Sequence, residues 1–246
     1  MKNWWIGCSG FSYDRWRNDF YPPKLAKRRW FEFYCEHFNT VELNVTFYRF
    51  PRPETLRQWY DRSPEDFRFT VKVPRLITHY KRFINVTKES ADFYNAVAEG
   101  LSDKLGTILF QLHPGIIFSD ENLERIIEAI DPGFSNTIEF RHESWWNEKV
   151  FTTLKKNGIS FCSISYPGLP GNVVKTNDTV YYRFHGVPQL YKSPYSDEQL
   201  QGIWSQINPL KGVKDVYAYF NNDIDVAAVF NAKKLQDIVS PVEKNN

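Results

Sequence analysis

A chain of 246 residues with a formal net charge of only +2 offers no global electrostatic case for binding nucleic acid or a membrane surface. Its composition, 42% hydrophobic and 24% charged, is that of an ordinary globular protein, and a 17% aromatic content supplies ample area for a core. No stretch approaches the ~18 uninterrupted apolar residues of a membrane span, and the N-terminal MKNWWIGCSGF turns polar too soon for a signal peptide. Three scattered cysteines (Cys8, Cys35 and Cys162) have no paired spacing and fit a reducing compartment, so a cytoplasmic location is expected.

Short apolar segments alternate along the chain with longer amphipathic ones. The first strand is predicted at 4–8 (WWIGC), ahead of a helical stretch at 25–38. Strand two at 40–46 (TVELNVT) precedes a helix at 53–62, opened by Pro53. Strand three at 67–73 (FRFTVKV) leads to a helix at 88–103, and strand four at 106–112 (GTILFQL) to one at 119–131. In that helix Ser119 caps a 3,4-type spacing of Leu123, Ile126, Ile127 and Ile130, and Pro132 ends it. Strand five at 136–141 (NTIEFR) is followed by a helix at 147–156, then strand six at 158–164 (GISFCSI). The next segment, YPGLPGNVVKTND, has no helical period, so the sixth helix is expected to be missing or replaced by a loop. Strand seven at 179–185 (TVYYRFH), a Ser196-capped helix at 196–208, strand eight at 214–221 (KDVYAYFN) and a helix at 224–238 complete the pattern.

Eight strands alternating with seven helices imply parallel β/α units. The length is close to the roughly 250 residues of a single (β/α)8 TIM barrel, so one domain over 1–246 is expected. An open doubly wound sheet is the alternative, and the chain lacks the Gly-rich nucleotide fingerprint that would favour it.

Strand side chains alternate faces. Thr40, Glu42 and Asn44 share one face of strand two, Glu139 and Arg141 one face of strand five, and Tyr181, Arg183 and His185 one face of strand seven. Lys72 opposes Val71 and Val73, Gln111 and His113 end strand four, and strand eight closes on YFNND at 219–223. With helices outside, this polar set points to the axis and gathers at the C-terminal strand ends, where barrel enzymes carry their sites.

The motifs IGCSGFSYDRW, VELNVTFYRFP, FTVKVPRLITH, LGTILFQLHPG, IEFRHESWW, YYRFHG and DVYAYFNND run in order from about residue 5 to 223. In these the chain resembles the YecE-like family, domain of unknown function 72. The resemblance implies a TIM barrel and a site at the strand ends, but no particular reaction. A likeness of the family to metal-dependent barrel endonucleases is one of fold alone. The chain departs from the family's LPP by reading Leu112-His113-Pro114, which places one extra imidazole near the mouth.

Four residues are candidates for catalysis. Glu42 and Glu139 would act as acid and base, as a carboxylate pair ~5 Å or ~6.5–9.5 Å apart does in glycoside hydrolysis; the competing reading is that each pairs with an arginine. His79 and His185 are candidate general bases. Lys72, Arg141 and Arg183 would hold an anion, since guanidinium forks match phosphate or carboxylate. Asn44, Gln111, Asn221 and Asn222 would orient the substrate, with Asp223 beside them. Tyr48 and Tyr219 are candidate pocket walls, as are Tyr13, Trp16, Trp145 and Trp146, while His37 is read as structural and Cys8 as a buried small residue. No cofactor is evident. Without HExxH, CxxC or an Asp-rich loop, a divalent metal would have to be assembled from Glu42, Glu139, His185 and Asp223 on separate strands. The expected function is a hydrolase-type enzyme acting on a small, phosphate-bearing anion. The alternatives are a nucleic-acid-binding or processing barrel and a non-catalytic ligand binder.

Overall fold

Eight strands lie side by side, every observed pair parallel, in the computed structural model, which describes residues 2–240. They are β1 (Asn3–Cys8), β2 (Thr40–Leu43), β3 (Arg68–Lys72), β4 (Leu105–Gln111), β5 (Asn136–Glu139), β6 (Ser160–Ser165), β7 (Thr179–Phe184) and β8 (Asp215–Phe220). The helices are α1 (Trp30–Cys35), α2 (Val45–Tyr48, one turn), α3 (Pro53–Arg62) and α4 (Thr87–Leu101), then α5 (Asp120–Glu128), α6 (Glu148–Lys156), α7 (Asp197–Ile207) and α8 (Ala227–Val239). Neighbouring strands are also sequence neighbours from β2 to β8, and β8 then pairs with β1. The sheet therefore curls into a nearly closed (β/α)8 barrel.

The strand patterns assign the two faces as expected. Val41, Leu43, Phe69, Val71, Ile108, Phe110 and Ile138 point outward into the main apolar core beneath the helices. The opposite parity fills the axis with Leu109, Cys162, Ile164, Tyr181, Tyr217 and Tyr219, topped by charged groups. Ser119 accepts from the Asn122 amide at the start of α5, and Ser196 and Gln199 form a full capping box on α7. Between β6 and β7 no helix forms. The chain there is tied back to β6 by Ser163, which accepts from the Val174 amide, and by Thr176, which accepts from the Phe161 amide and donates to the Ile159 carbonyl.

Several expected elements are shorter in the structure, and two of the differences bear on the site. The helix expected at 25–38 is a 3-10 turn (Lys27–Arg29) running into α1. Strand two, expected through residue 46, ends at Leu43, and the chain coils into α2. Thr46 fixes that turn by donating its hydroxyl towards the Leu43 and Lys72 carbonyls, 2.9 and 2.6 Å away.

β1 and β2 share no backbone ladder among the described residues. Side chains close the gap. The Tyr34 hydroxyl accepts from the Cys8 amide at 2.8 Å and donates to the Thr40 carbonyl at 2.9 Å. Asn39 accepts from the Ile6 amide and donates to the Trp4 carbonyl. Gly7 makes the approach possible, since a Cβ there would lie 2.3 Å from the Thr40 oxygen. Tyr34→Phe should therefore cost about 1–3 kcal/mol, the penalty for stranding buried backbone groups. A lower melting temperature and faster exchange of the Cys8 amide would register it.

Candidate functional site

The C-terminal ends of β2, β5 and β7 bring Glu42, Glu139 and Arg183 into one buried cluster. Parity directs all three to the axis, and the guanidinium lies between the two carboxylates. Arg183 Nη2 donates to Glu42 Oε1 at 2.6 Å, and Nη1 donates to Glu139 Oε2. Glu42 also accepts from Ser9, at 2.7 Å, and from the Tyr181 hydroxyl. Glu139 is further paired with Arg141, accepts from Gln111 Nε2 at 3.2 Å, and lies 3.3 Å from His185 Nε2. Burial works against the charge on Glu139, but Arg141, Arg183 and His185 outweigh it and hold the carboxyl well below the usual range. Both glutamates are thus saturated with donors.

His185 is fully buried at the end of β7. Burial, then Arg141 and Arg183, push its pKa down to about 3, so the imidazole is neutral at physiological pH. Its Nδ1 lies 3.2 Å from the Asn221 amide, and Tyr166 and Tyr191 flank the ring. Arg141 lies over the Tyr166 ring, 4.5 Å from its centroid, and its Nη1 has no protein acceptor among the described residues.

Lys72, the last residue of β3, differs from these groups. It is only 7% exposed, yet its Nζ has no hydrogen bond and no ion pair among the described residues. Its Nζ lies 4.0 Å from the centroid of the Phe47 ring on α2. Burial and the nearby Arg183 lower its pKa to about 7, more than Glu139 and Glu42 raise it, and Arg141 adds to the depression. His79 packs edge-on to the same Phe47 ring at 4.9 Å, with His113 5.4 Å from it. His79 Nδ1 is engaged by the Thr78 hydroxyl at 2.9 Å. Burial and then Lys72 bring its pKa down to about 4. The Gly115 amide donates to His113 Nδ1, which leaves the proton of the neutral ring on Nε2.

The remaining expected site residues are more dispersed. Asn44 leaves the strand parity because β2 stops before it; it is half-buried beside a cavity of about 380 Å³ that Tyr13 and Trp59 also line, and its Oδ1 has no partner. Tyr219 lies deeper than the charged layer, bound to the Thr40 and Thr70 hydroxyls. Asn222 faces outward and donates to the Ser193 carbonyl and to Asn231 of α8. Asp223 pairs with Arg15. Tyr48 stands on the outer rim, 65% exposed, with Arg75 against its ring. Burial pushes the Cys8 thiol up, as suits a packed rather than a reactive cysteine. Trp16 and Trp145 are core residues, and His37 is tied to the Phe33 carbonyl.

Sequence reading passed over Ser9, Phe47 and Tyr166, each one to four residues beyond the last residue of a strand, where parity no longer says where a side chain points. Tyr181 was placed on the Arg183 face by parity but was not among the expected site residues, and its hydroxyl donates to Glu42. Among the described residues no group of three or more His, Cys, Asp or Glu could hold a metal ion, and no helix is long and apolar enough to cross a membrane. A cavity of about 760 Å³ lies off the axis between α2 and α3, lined by Arg49, Phe50, Arg52 and Trp59.

The family described as "Protein of unknown function DUF72" matches residues 5–245. The UPF0759 protein YunF of Bacillus subtilis is 25% identical over 96% of this chain and 94% of its own. Among solved structures, a DUF72 family protein from Thermotoga maritima superposes with a TM-score of 0.86 at 29% identity, covering 96% of this chain and 98% of that one. Another, from Enterococcus faecalis, gives 0.82 at 22% identity over 96% and 94%, a likeness of fold.

Proposed function

The chain belongs to the DUF72 family, and from that premise we propose that its barrel is a cytoplasmic enzyme whose mouth takes a small, phosphate-bearing anion. The observation that carries this reading is Lys72, a residue only 7% exposed on the axis side of β3 whose amine has no acceptor among the described residues. An ammonium so placed is costly until an anion joins it. Phosphate oxygens would supply acceptors for Lys72 and for the unengaged Nη1 of Arg141.

Arg183 takes a different part from the one expected. Both its Nη groups are spent on Glu42 and Glu139, so it organises the floor of the site rather than holding the ligand. The guanidinium also fills the space between the carboxylates where a scissile bond and a water would sit in a two-carboxylate hydrolase. His79 is the better proton carrier: neutral, half-buried, and held through Nδ1 so that Nε2 is left for the ligand or a water. Gln111 and Asn221 hold Glu139 and His185 in place.

Glycerol 3-phosphate, followed by thermal shift, tests the reading. A ligand at a hundred times its Kd adds about 2.7 kcal/mol to stability. Affinity should fall as pH rises from 7 to 9, by up to about tenfold per unit, because the free site's Lys72 loses its proton through about 7 while the phosphate charge no longer changes. Binding that does not change with pH, or no binding, would sink the assignment of Lys72.

A nucleic-acid strand is the second reading, favoured by the rim. Arg75 lies between the exposed rings of Tyr48 and Tyr80, and Arg49, Arg52 and Arg82 stand exposed on the same two loops. That reading requires oligonucleotide affinity that falls steeply with salt.

A further inference from the structure

We infer that Lys72 is a nucleophilic amine that condenses with an aldehyde or ketone carbon of the bound anion, forming an imine at the end of β3. The inference rests on the anion-binding reading and adds a substrate class, a phosphate-bearing carbonyl compound. A lysine present only to neutralise Glu42 and Glu139 would touch one of them. Lys72 touches neither, because Arg183 and Arg141 have taken both carboxylates.

The groups that face the amine are Arg183, Glu139, Glu42 and Arg141 from the barrel wall, His79 from the loop after β3, and the Phe47 ring beneath. The cations and the burial disfavour the ammonium, while Phe47 and the two carboxylates offset them in part. In the free site the balance leaves a large share of the lysine as free amine near pH 7, the condition a nucleophilic lysine needs, and with a carbonyl ligand the phosphate rests on Arg141 while Nζ faces the carbonyl carbon.

The step balances with groups already at the mouth. The Nζ lone pair attacks the carbonyl carbon, a C–N bond forms, and the carbonyl π electrons move to oxygen. One amine proton passes to that oxygen, with the neutral His79 imidazole, which shares the Phe47 ring with Lys72, as the carrier. The second amine proton follows, the C–O bond breaks, and water leaves. In net terms a carbonyl and a primary amine become an imine and one water, with no oxidant or reductant. Protonated, the imine draws electrons from the adjacent carbon and weakens its C–H and C–C bonds.

Glyceraldehyde 3-phosphate with cyanoborohydride is the direct test, read by intact mass and peptide mapping, with glycerol 3-phosphate as the competitor that shares the phosphate but has no carbonyl. The expected result is a single saturable adduct on Lys72, suppressed at least tenfold by glycerol 3-phosphate and absent from Lys72→Arg. Adducts spread over exposed lysines with no excess at Lys72, in protein that glycerol 3-phosphate still stabilises, would overturn the imine and leave the anion site standing. No stabilisation by glycerol 3-phosphate and no competition would overturn both.

Discussion

Arg183→Met should cost the fold about 3–5 kcal/mol, because it strands Glu42 in the barrel without a counter-ion and strips Glu139 of one of two. In a chain of this size that is a drop in melting temperature of roughly 6–20 °C. The loss comes from charge left uncompensated rather than from the side chain's volume, so Arg183→Met with Glu42→Gln should recover part of it. Glu139 would then still have Arg141. Equal melting points for the single and double variants would show that the network is not electrostatic. The same network sets the acid limit. Glu139 is held well below its ordinary pKa, so its contribution is fully present above about 4.3, the unfolded value. It is lost as the pH falls from there through the folded value. Glu139→Gln should therefore flatten the acid side of the stability profile while lowering stability at pH 7.

Lys72→Met should do the opposite, raising stability while abolishing anion binding. Folding lowers the lysine pKa from about 10.4 to about 7, so between these values the unfolded chain binds more protons than the folded one. The resulting penalty is full below about pH 7 and fades as the pH rises towards 10.4. Removing the amine should add on the order of 2–4 kcal/mol at pH 6, allowing for water reaching the amine, and little at pH 10. A methionine of similar length keeps contact with Phe47. Chemical denaturation of both proteins at pH 6 and pH 10 would measure it. A variant less stable at pH 6 would mean that Lys72 is a structural cation after all. A stability gain joined to a binding loss is what a site held under strain for function predicts.

The parity of polar residues in strands two, five and seven was enough to place Glu42, Glu139, Arg183 and His185 together, because a period of two leaves each side chain only one alternative face. It failed at Asn44 for a physical reason. Asn-Val-Thr reads as more strand, given two β-branched residues. Yet the Thr46 hydroxyl bonds the carbonyls that end β2 and β3, so the chain turns instead. The loss of the sixth helix was visible in YPGLPGNVVKTND, where two prolines and two glycines leave no amphipathic period. That each glutamate pairs with an arginine was one of the two readings the sequence left open, and only geometry decides for it and shows that the pairing leaves Lys72 alone. The cradle under Lys72 was likewise hidden, since Phe47 comes from a turn that no pattern announced.

The tyrosine and asparagine that bridge β1 to β2 also bear on how the chain is made. The ladder partner of β1 is β8, and Asn3 meets Asp215 at a separation of 212 residues. At a synthesis rate of 5–20 residues per second, roughly 10–40 s pass between the two. For that time β1 has no backbone neighbour to pair with. Asn39 and Tyr34, only 33 and 26 residues from the amides they bind, arrive early enough to dock it against β2. The side-chain latch is thus a holding device for a nascent strand, and a ribosome-bound chain stopped before β8 should already protect the amides of Ile6 and Cys8.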